Sequence, residues 1–343
     1  MVRDFPQLVW DEALADNWRA LLALALVEDL GPSSKAAAPD SLLDPWRDLT
    51  SETLVPPDAH GQAAVVARTS GVLAGLPTVP MTIQAIEPRL KWTATATDGQ
   101  RLERGARVGI LSGPARGILA AERLILNTLG RLSGIATLAR CYVNAVEGTK
   151  ARIYDTRKTT PGWRRLEKYA VRCGGGRNHR EALFSSFLIK DNHLALGAAN
   201  SVPADGLSDE PSFEDRSLGD SPSTAAPNYT PAQAVRMARD WLQHRSGEAG
   251  ANVLVEVEVD SLAQLEQVLP ERPDIVLLDN MGPSMLCKAI ELRDRLGPGV
   301  ELEASGGITL ETVGQIAATG VERISVGGLT HSAMALDLGL DWL

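Results

Sequence analysis

The stretch VLVEVEVDSLAQLEQVLPERPDIVLLDN, residues 253–280, decides the fold. An apolar, β-branched run from Val253 to Val257 predicts a strand, 261–269 carries a helical pattern, and Ile275 to Leu278 is a second apolar strand. The unit repeats along the second half of the chain. Strands are predicted at Arg152–Tyr154, Phe187–Ile189, Val300–Leu302 and Ile324–Val326, and helices at 231–245, 283–296 and 309–319. Strands alternating with helices imply a parallel sheet. With no GxGxxG fingerprint and six strands, a seventh being possible, the pattern predicts an incomplete parallel α/β barrel of six or seven strands.

Upstream the texture differs. Residues 11–30 have helical spacing and stop at Gly31-Pro32. A Ser/Ala/Pro-rich stretch, 32–45, reads as a loop. From Gly61 short β-branched runs follow (Ala63–Ala67, Val72–Leu73, Trp92–Thr97, Val108–Leu111), with turns at Asp98-Gly99 and Glu103-Arg104-Gly105, so a small half-β domain is predicted. Ala115 to Val146 is a long helical segment with a break expected near Ser133-Gly134. Asn200 to Asn228, rich in Ser, Pro, Gly and Asp, lacks core-forming composition and reads as an exposed insertion.

The 343 residues are 44% hydrophobic and 22% charged, an ordinary globular composition that excludes disorder throughout. A net charge of −9 and 4% aromatics argue against nucleic-acid binding. The average hides an asymmetry. Between Lys150 and Lys190 eleven Lys and Arg face three acids, which points to a small anionic ligand held in one place. Cys141, Cys173 and Cys287 are too few and too scattered for a disulfide framework; buried free thiols in a reducing cytoplasm are expected. Acids at positions 4, 11, 12 and 16 do not suit a signal peptide, and the apolar run Leu21–Val27 is too short to span a membrane.

Ligand groups in α/β barrels gather at the carboxyl ends of the strands. Here those ends read Asp155-Thr156-Arg157-Lys158, Lys190-Asp191-Asn192-His193, Glu258, Asp279-Asn280, Ser305-Gly306-Gly307 and Gly327-Gly328. Arg157, Lys158, His179, Arg180 and Lys190 form a cationic wall suited to carboxylates. Arg164, Arg165 and Lys168, at helical spacing after Pro161-Gly162, read instead as solvated or helix-pairing charges. Glu258 and Asp279 suit Mg²⁺, ribose hydroxyls or a developing positive charge, or else a buried ion pair or helix cap; Glu256 shares the strand face of Glu258. The two glycine pairs suit a phosphate or plain turns. His179 and His193 lack zinc-ligand spacing with any Cys or carboxylate.

The stretches AERLILNTLGRLSGIAT (121–137), DTRKTTPGWRRLEKYAVRCGGGRNHR (155–180), LIKDNH (188–193), VEVEVDSL (255–262), LLDN (277–280), EASGGI (303–308) and SVGGLTHS (325–332) closely resemble the quinolinate phosphoribosyltransferase family. So does LVPPDAHGQAAVVARTSGVLAG (54–75). The loop before Arg47 and the 200–228 insertion are longer than the family pattern.

The resemblance implies transfer from phosphoribosyl pyrophosphate to quinolinate, giving nicotinate mononucleotide, pyrophosphate and CO₂ with Mg²⁺ in NAD synthesis. It implies an N-terminal α/β sandwich over 1–126, rejoined by the tail 332–343, and a catalytic barrel over 127–331. By motif, Arg157, His179, Arg180 and Lys190 match quinolinate-binding cations, and Arg123 matches an arginine that reaches the neighbouring subunit's site. Lys158, Glu258 and Asp279 match residues around phosphoribosyl pyrophosphate, the two acids also being candidates for Mg²⁺, directly or indirectly. Ser305, Gly306, Gly327 and Gly328 match the 5′-phosphate site; His331 lies near it in sequence. A cytoplasmic homodimer, or a hexamer of dimers, is expected. The rivals are a nicotinate phosphoribosyltransferase, with a monocarboxylate substrate, and a non-catalytic phosphosugar-binding protein.

Overall fold

The half-β texture becomes an antiparallel sheet covered by one long helix. In the computed structural model, which describes residues 4–31, 48–197, 229–245 and 253–343, the chain divides into two compact units. The loop 32–46 and the insertion 200–228 lie outside the described residues.

The larger unit holds residues 5–181, 309–314 and 325–343. Its helix α1 (Glu12–Leu30) starts at Asp11, whose carboxylate accepts the Leu14 N–H at 2.8 Å, and buries Leu14, Trp18, Leu22 and Leu26 on one stripe. After α2 (Leu49–Leu54) come β1 (His60–Ala67), β2 (Gly71–Val72), α3 (Thr78–Ile86), β3 (Lys91–Ala94), β4 (Arg101–Leu102) and β5 (Arg107–Pro114). The C-terminal strand β12 (Leu338–Trp342) pairs antiparallel with β1, Ala63 opposite Trp342 and Ala67 opposite Leu338, in a four-stranded sheet ordered β12-β1-β5-β3.

Helix α4 (Ala115–Ala145) packs Ile118, Ile125 and Leu129 against Val65, Leu111 and Leu338. It runs unbroken through Ser133-Gly134, against the expected break. The small residues serve close packing instead: Ser133 Oγ accepts the Ala74 N–H at 3.0 Å, and a Cβ on Gly134 would stand 2.0 Å from the Met334 carbonyl. Strand β6 (Arg152–Tyr154) and helix α5 (Arg164–Cys173) complete this part of the unit.

The smaller unit takes up the alternation: β7 (Phe187–Ile189), α6 (Asp191–Gly197), α7 (Pro231–Arg245), β8 (Val255–Val259), α8 (Leu262–Val268), β9 (Ile275–Asp279), α9 (Pro283–Leu296) and β10 (Glu301–Ser305). After α10 (Leu310–Ala318) comes β11 (Arg323–Ser325), and α11 (Gly328–His331) follows it. The parallel sheet has the order β6-β11-β10-β9-β8-β7, six strands that do not close on themselves, as an incomplete barrel requires. Glu256 lies opposite Ile275, Glu258 opposite Leu277 and Ser305 opposite Asp279, so these side chains share one face.

The cysteines depart from expectation. Cys141 and Cys287 are exposed and Cys173 half-buried, because 141 and 287 fall on the solvent faces of α4 and α9. No described helix is long and apolar enough to cross a membrane.

Candidate active site

In the larger unit the site begins where β6 ends. Gly174-Gly175-Gly176 reverses the chain after α5: a Cβ on Gly174 would stand 2.4 Å from the Ala136 carbonyl, and Gly175 has φ +91°. The chain then runs alongside β6. The Arg177 N–H donates to the Ile153 carbonyl at 2.8 Å and the Asp155 N–H to the Arg177 carbonyl at 3.0 Å. This pairing, invisible as a strand in the sequence, places His179-Arg180 beside the segment that carries Arg157 and Lys158.

Beneath that turn sits a buried pair. Lys168 on α5 and Asp155, both fully buried, form an ion pair. Burial lifts the Asp155 carboxyl above the ordinary carboxylate range and depresses the Lys168 ammonium, each partner opposing the other's shift. Lys168 is therefore not the solvated charge that helical spacing suggested; the Asp155 carboxylate and the His179 carbonyl give its ammonium a dry binding place. Arg164 and Arg165 do pair locally, Arg164 Nε with Thr159 Oγ1 at 3.0 Å and Arg165 with Glu181 at 3.2 Å.

His179 Nδ1 accepts the Arg180 N–H at 2.8 Å. A proton on Nδ1 would face that N–H, so Nδ1 serves as an acceptor and the ring nitrogen left to donate is Nε2. Arg157 is half-buried, and Arg180 is buried.

Lys158 meets the glycine pair after β11. Its carbonyl accepts the Thr330 hydroxyl at 2.7 Å, and a Cβ on Gly327 would lie 2.9 Å from Lys158 Cδ and 3.3 Å from His331 Nε2. Gly327, Gly328, Lys158 and His331 are therefore one neighbourhood. Arg123 stands apart on α4, 65% exposed and 3.9 Å from Glu122, with no hydrogen bond or ion pair to the other candidates among the described residues.

In the smaller unit the candidates again occupy strand ends. Lys190, just past β7, is ion-paired with Glu258 on the neighbouring β8. Asp279 ends β9 and accepts the Asn280 side-chain amide at 2.8 Å. Asn280 is left-handed (φ +54°) and donates its N–H to the Ser305 carbonyl at 2.9 Å. Ser305 ends β10, and Gly306 has φ +97°, where a Cβ would stand 2.1 Å from Asn280 Oδ1. Only glycine fits that turn.

Glu258 and Asp279 lie on adjacent strands and one face, and no three-ligand cluster among the described residues includes either. Two hard-oxygen donors without a closed cage suit Mg²⁺ that keeps waters and phosphate oxygens as its other ligands.

Sequence reasoning missed the supporting polar residues. Glu167 is fully buried, accepts Arg131 Nη2 at 2.7 Å and the Thr160 hydroxyl at 2.8 Å, and so pins the loop after Lys158. Its signal was a lone acid in a basic run.

Comparison with known proteins settles the ancestry. Residues 48–133 match the quinolinate phosphoribosyl transferase N-terminal domain, and 135–203 with 231–341 match the C-terminal domain. The chain belongs to the quinolinate phosphoribosyltransferase family. Among the family's curated members, the nicotinate-nucleotide pyrophosphorylase [carboxylating] of Mycobacterium leprae is 40% identical over 86% of this chain and 90% of its own length. The chloroplastic enzyme of that name from Arabidopsis thaliana is 34% identical over 94% of this chain and 82% of its own. The solved nicotinate-nucleotide pyrophosphorylase of Francisella tularensis, also of this family, superposes with a TM-score of 0.75 at 30% identity, covering 100% of this chain and 99% of that one.

Proposed function

We propose that this protein is a quinolinate phosphoribosyltransferase, converting quinolinate and phosphoribosyl pyrophosphate to nicotinate mononucleotide, pyrophosphate and CO₂ for NAD biosynthesis. The observation that carries the reading is the sequence of strand ends. Arg157-Lys158 follow β6 with His179-Arg180 alongside, Lys190 follows β7, acids occupy β8 and β9, and glycine turns follow β10 and β11.

Quinolinate is a planar dicarboxylate, and Arg157, Arg180 and Lys190 supply its counter-charges while His179 donates a hydrogen bond. Ser305 offers its hydroxyl and Gly306, Gly327 and Gly328 their backbone N–H groups to the 5′-phosphate, with Lys158 beside Gly327. Glu258 and Asp279 hold the ribose and stabilise positive charge developing at its anomeric carbon as pyrophosphate departs. Mg²⁺, held by these acids directly or through water, would offset the charge of the pyrophosphate. The pyridine nitrogen then bonds to the anomeric carbon; the 2-carboxylate leaves as CO₂, its bonding electron pair staying on ring carbon 2, stabilised by the adjacent cationic nitrogen, and that carbon takes a proton from solvent to give nicotinate mononucleotide. Without substrate Lys190 and Glu258 neutralise each other, so arrival of a substrate carboxylate gives Lys190 a competing partner.

The deciding experiment is formation of nicotinate mononucleotide and CO₂ from quinolinate with Mg²⁺, nicotinate serving as control. Activity on quinolinate, abolished by EDTA and restored by Mg²⁺, is expected; turnover of nicotinate alone would replace this reading with the monocarboxylate rival. Binding of phosphoribosyl pyrophosphate without CO₂ release would replace it with the non-catalytic one. Arg157→Ala and Arg180→Ala each remove charge-assisted bonds worth roughly 1.5–3 kcal/mol, so the quinolinate KM should rise about 10- to 150-fold with the fold intact. The proposed assembly is a homodimer in a cytoplasmic setting, Arg123 serving the neighbour's site. Mixing Arg123→Ala with Lys190→Ala protein should then regenerate activity through hybrid dimers, and no recovery after demonstrated subunit exchange would remove Arg123 from that role.

A further inference from the structure

We propose that the buried Lys168–Asp155 pair, together with the N-terminal arm Phe5–Leu8, is a positioning device that sets the geometry of the His179-Arg180 turn and thereby the affinity for the aromatic dicarboxylate. The substrate assigned here rests on the quinolinate reading, whereas the mechanics rest on the hydrogen bonds of the buried pair. Neither charged residue has solvent access, and neither touches substrate in the mechanism above. A dry ion pair with no direct chemical task is costly to keep unless its bonds hold something in place.

What they hold is the peptide on either side of His179. The Lys168 ammonium bonds Asp155 Oδ1 and donates to the His179 carbonyl at 3.0 Å. Asp155 Oδ1 accepts the His179 N–H at 2.9 Å, and Oδ2 accepts Asn178 Nδ2 at 2.6 Å. Both backbone groups of His179 are thus tied to one buried pair through charge-assisted bonds, which are shorter and stronger than neutral ones.

The N-terminal arm closes the other side. Asn178 Oδ1 accepts the Leu8 N–H at 2.8 Å, Gln7 Oε1 accepts the Asn178 N–H at 2.8 Å, and Gln7 Nε2 donates to the Asn178 carbonyl at 3.0 Å. The Phe5 ring packs on the His179 ring with centroids 4.3 Å apart. With Nδ1 taken by the Arg180 N–H, the imidazole is fixed in both orientation and tautomer. Two carboxylates on a rigid ring demand such fixing, since a displacement of about 1 Å can cost on the order of 10²-fold. Lys168, Asp155, Asn178, Gln7 and Phe5 are positioning residues, and their effect should fall on quinolinate and spare phosphoribosyl pyrophosphate.

The test compares full-length wild type with Lys168→Met, which strands the Asp155 carboxylate, and with the double variant Lys168→Met, Asp155→Leu, which removes both charges and so keeps the fold. Phe5→Ala in the otherwise unchanged protein probes the arm. Two readouts are taken: the KM values for quinolinate and phosphoribosyl pyrophosphate with kcat, and the ¹⁵N shifts of the His179 imidazole in ligand-free protein, assigned with His179→Gln. In the folded double variant the quinolinate KM is expected to rise roughly 10- to 100-fold, while kcat and the other KM stay within about threefold. The His179 nitrogens should move from a fixed Nε2–H tautomer to averaged values. A folded double variant with unchanged quinolinate KM and unchanged His179 shifts overturns the proposal. If wild type neither binds nor turns over quinolinate, the functional reading fails by itself. The imidazole spectra then still decide the positioning claim: retained shifts in the double variant overturn it, averaged shifts uphold it.

Discussion

Arg323 has no exposed surface and bonds Glu301 at 2.9 Å and Asp4, with Glu303 at 3.5 Å. Three carboxylates share one guanidinium at the start of the short strand β11, and removing it leaves buried negative charge without its counter-ion. Arg323→Met should cost roughly 3–5 kcal/mol, measured as a fall in the urea midpoint with the slope unchanged. Cys173 is a second case where surroundings override residue type. Burial and the nearby Asp98 charge push its thiol up to about 12, so at pH 8 it stays protonated. Iodoacetamide at that pH should label Cys141 and Cys287 and reach Cys173 only after denaturation. The strand-end residues were legible one by one, because a charge or glycine directly after an apolar run is a local signal. The buried partners Asp155, Glu167 and Lys168 were not, since a charge at helical spacing looks the same whether it meets water or another charge.

At the scale of elements, α4 shows how a helix breaker in a sequence can be a packing device. Gly134 lies under the chain at Met334, and Gly130 under Leu336, where a Cβ would stand 2.9 Å from the carbonyl. Gly134→Ala should drive a methyl into backbone and destabilise by roughly 1–3 kcal/mol, read by urea unfolding, with the far-UV helix signal preserved. The Gly174–Gly176 turn works alike, giving the segment after α5 its place along β6. Helices and long strands were readable from their periods of 3.6 and 2. The single-residue bridge of Arg177 to β6 was not, because one residue has no period, and its partner is supplied by tertiary contact.

For the whole molecule, the net charge of −9 is an average over local arrangements. The basic segment 150–190 divides between the strand-end wall, the internal pair of Lys168 with Asp155, and local pairs such as Arg165 with Glu181. Two of the segment's eleven cations are thus held by its own acids and a third, Lys190, by Glu258, so only some of the eleven are available to a ligand. The larger unit is closed by the end of the chain: β12 covers the edge of β1, and Arg68 bonds Asp341 at 3.0 Å. Deleting residues 337–343 should uncover that edge and remove Leu338 from the core. Lower thermal stability and higher-order species on size exclusion are the expected result.

The sequence by itself determined the alternation of strands and helices, the half-β texture of the first part, and the residue types at the strand ends. These depend on neighbours two to four positions away. Tertiary structure alone decided that Lys190 rests on Glu258, that Arg177 bridges to β6, and that Lys168 is buried beneath the His179 peptide. Each of these depends on which distant segment supplies the hydrogen-bond partner or excludes water. Such pairings are selected by the burial of whole faces and the satisfaction of buried polar groups, and no local spacing along the chain records them.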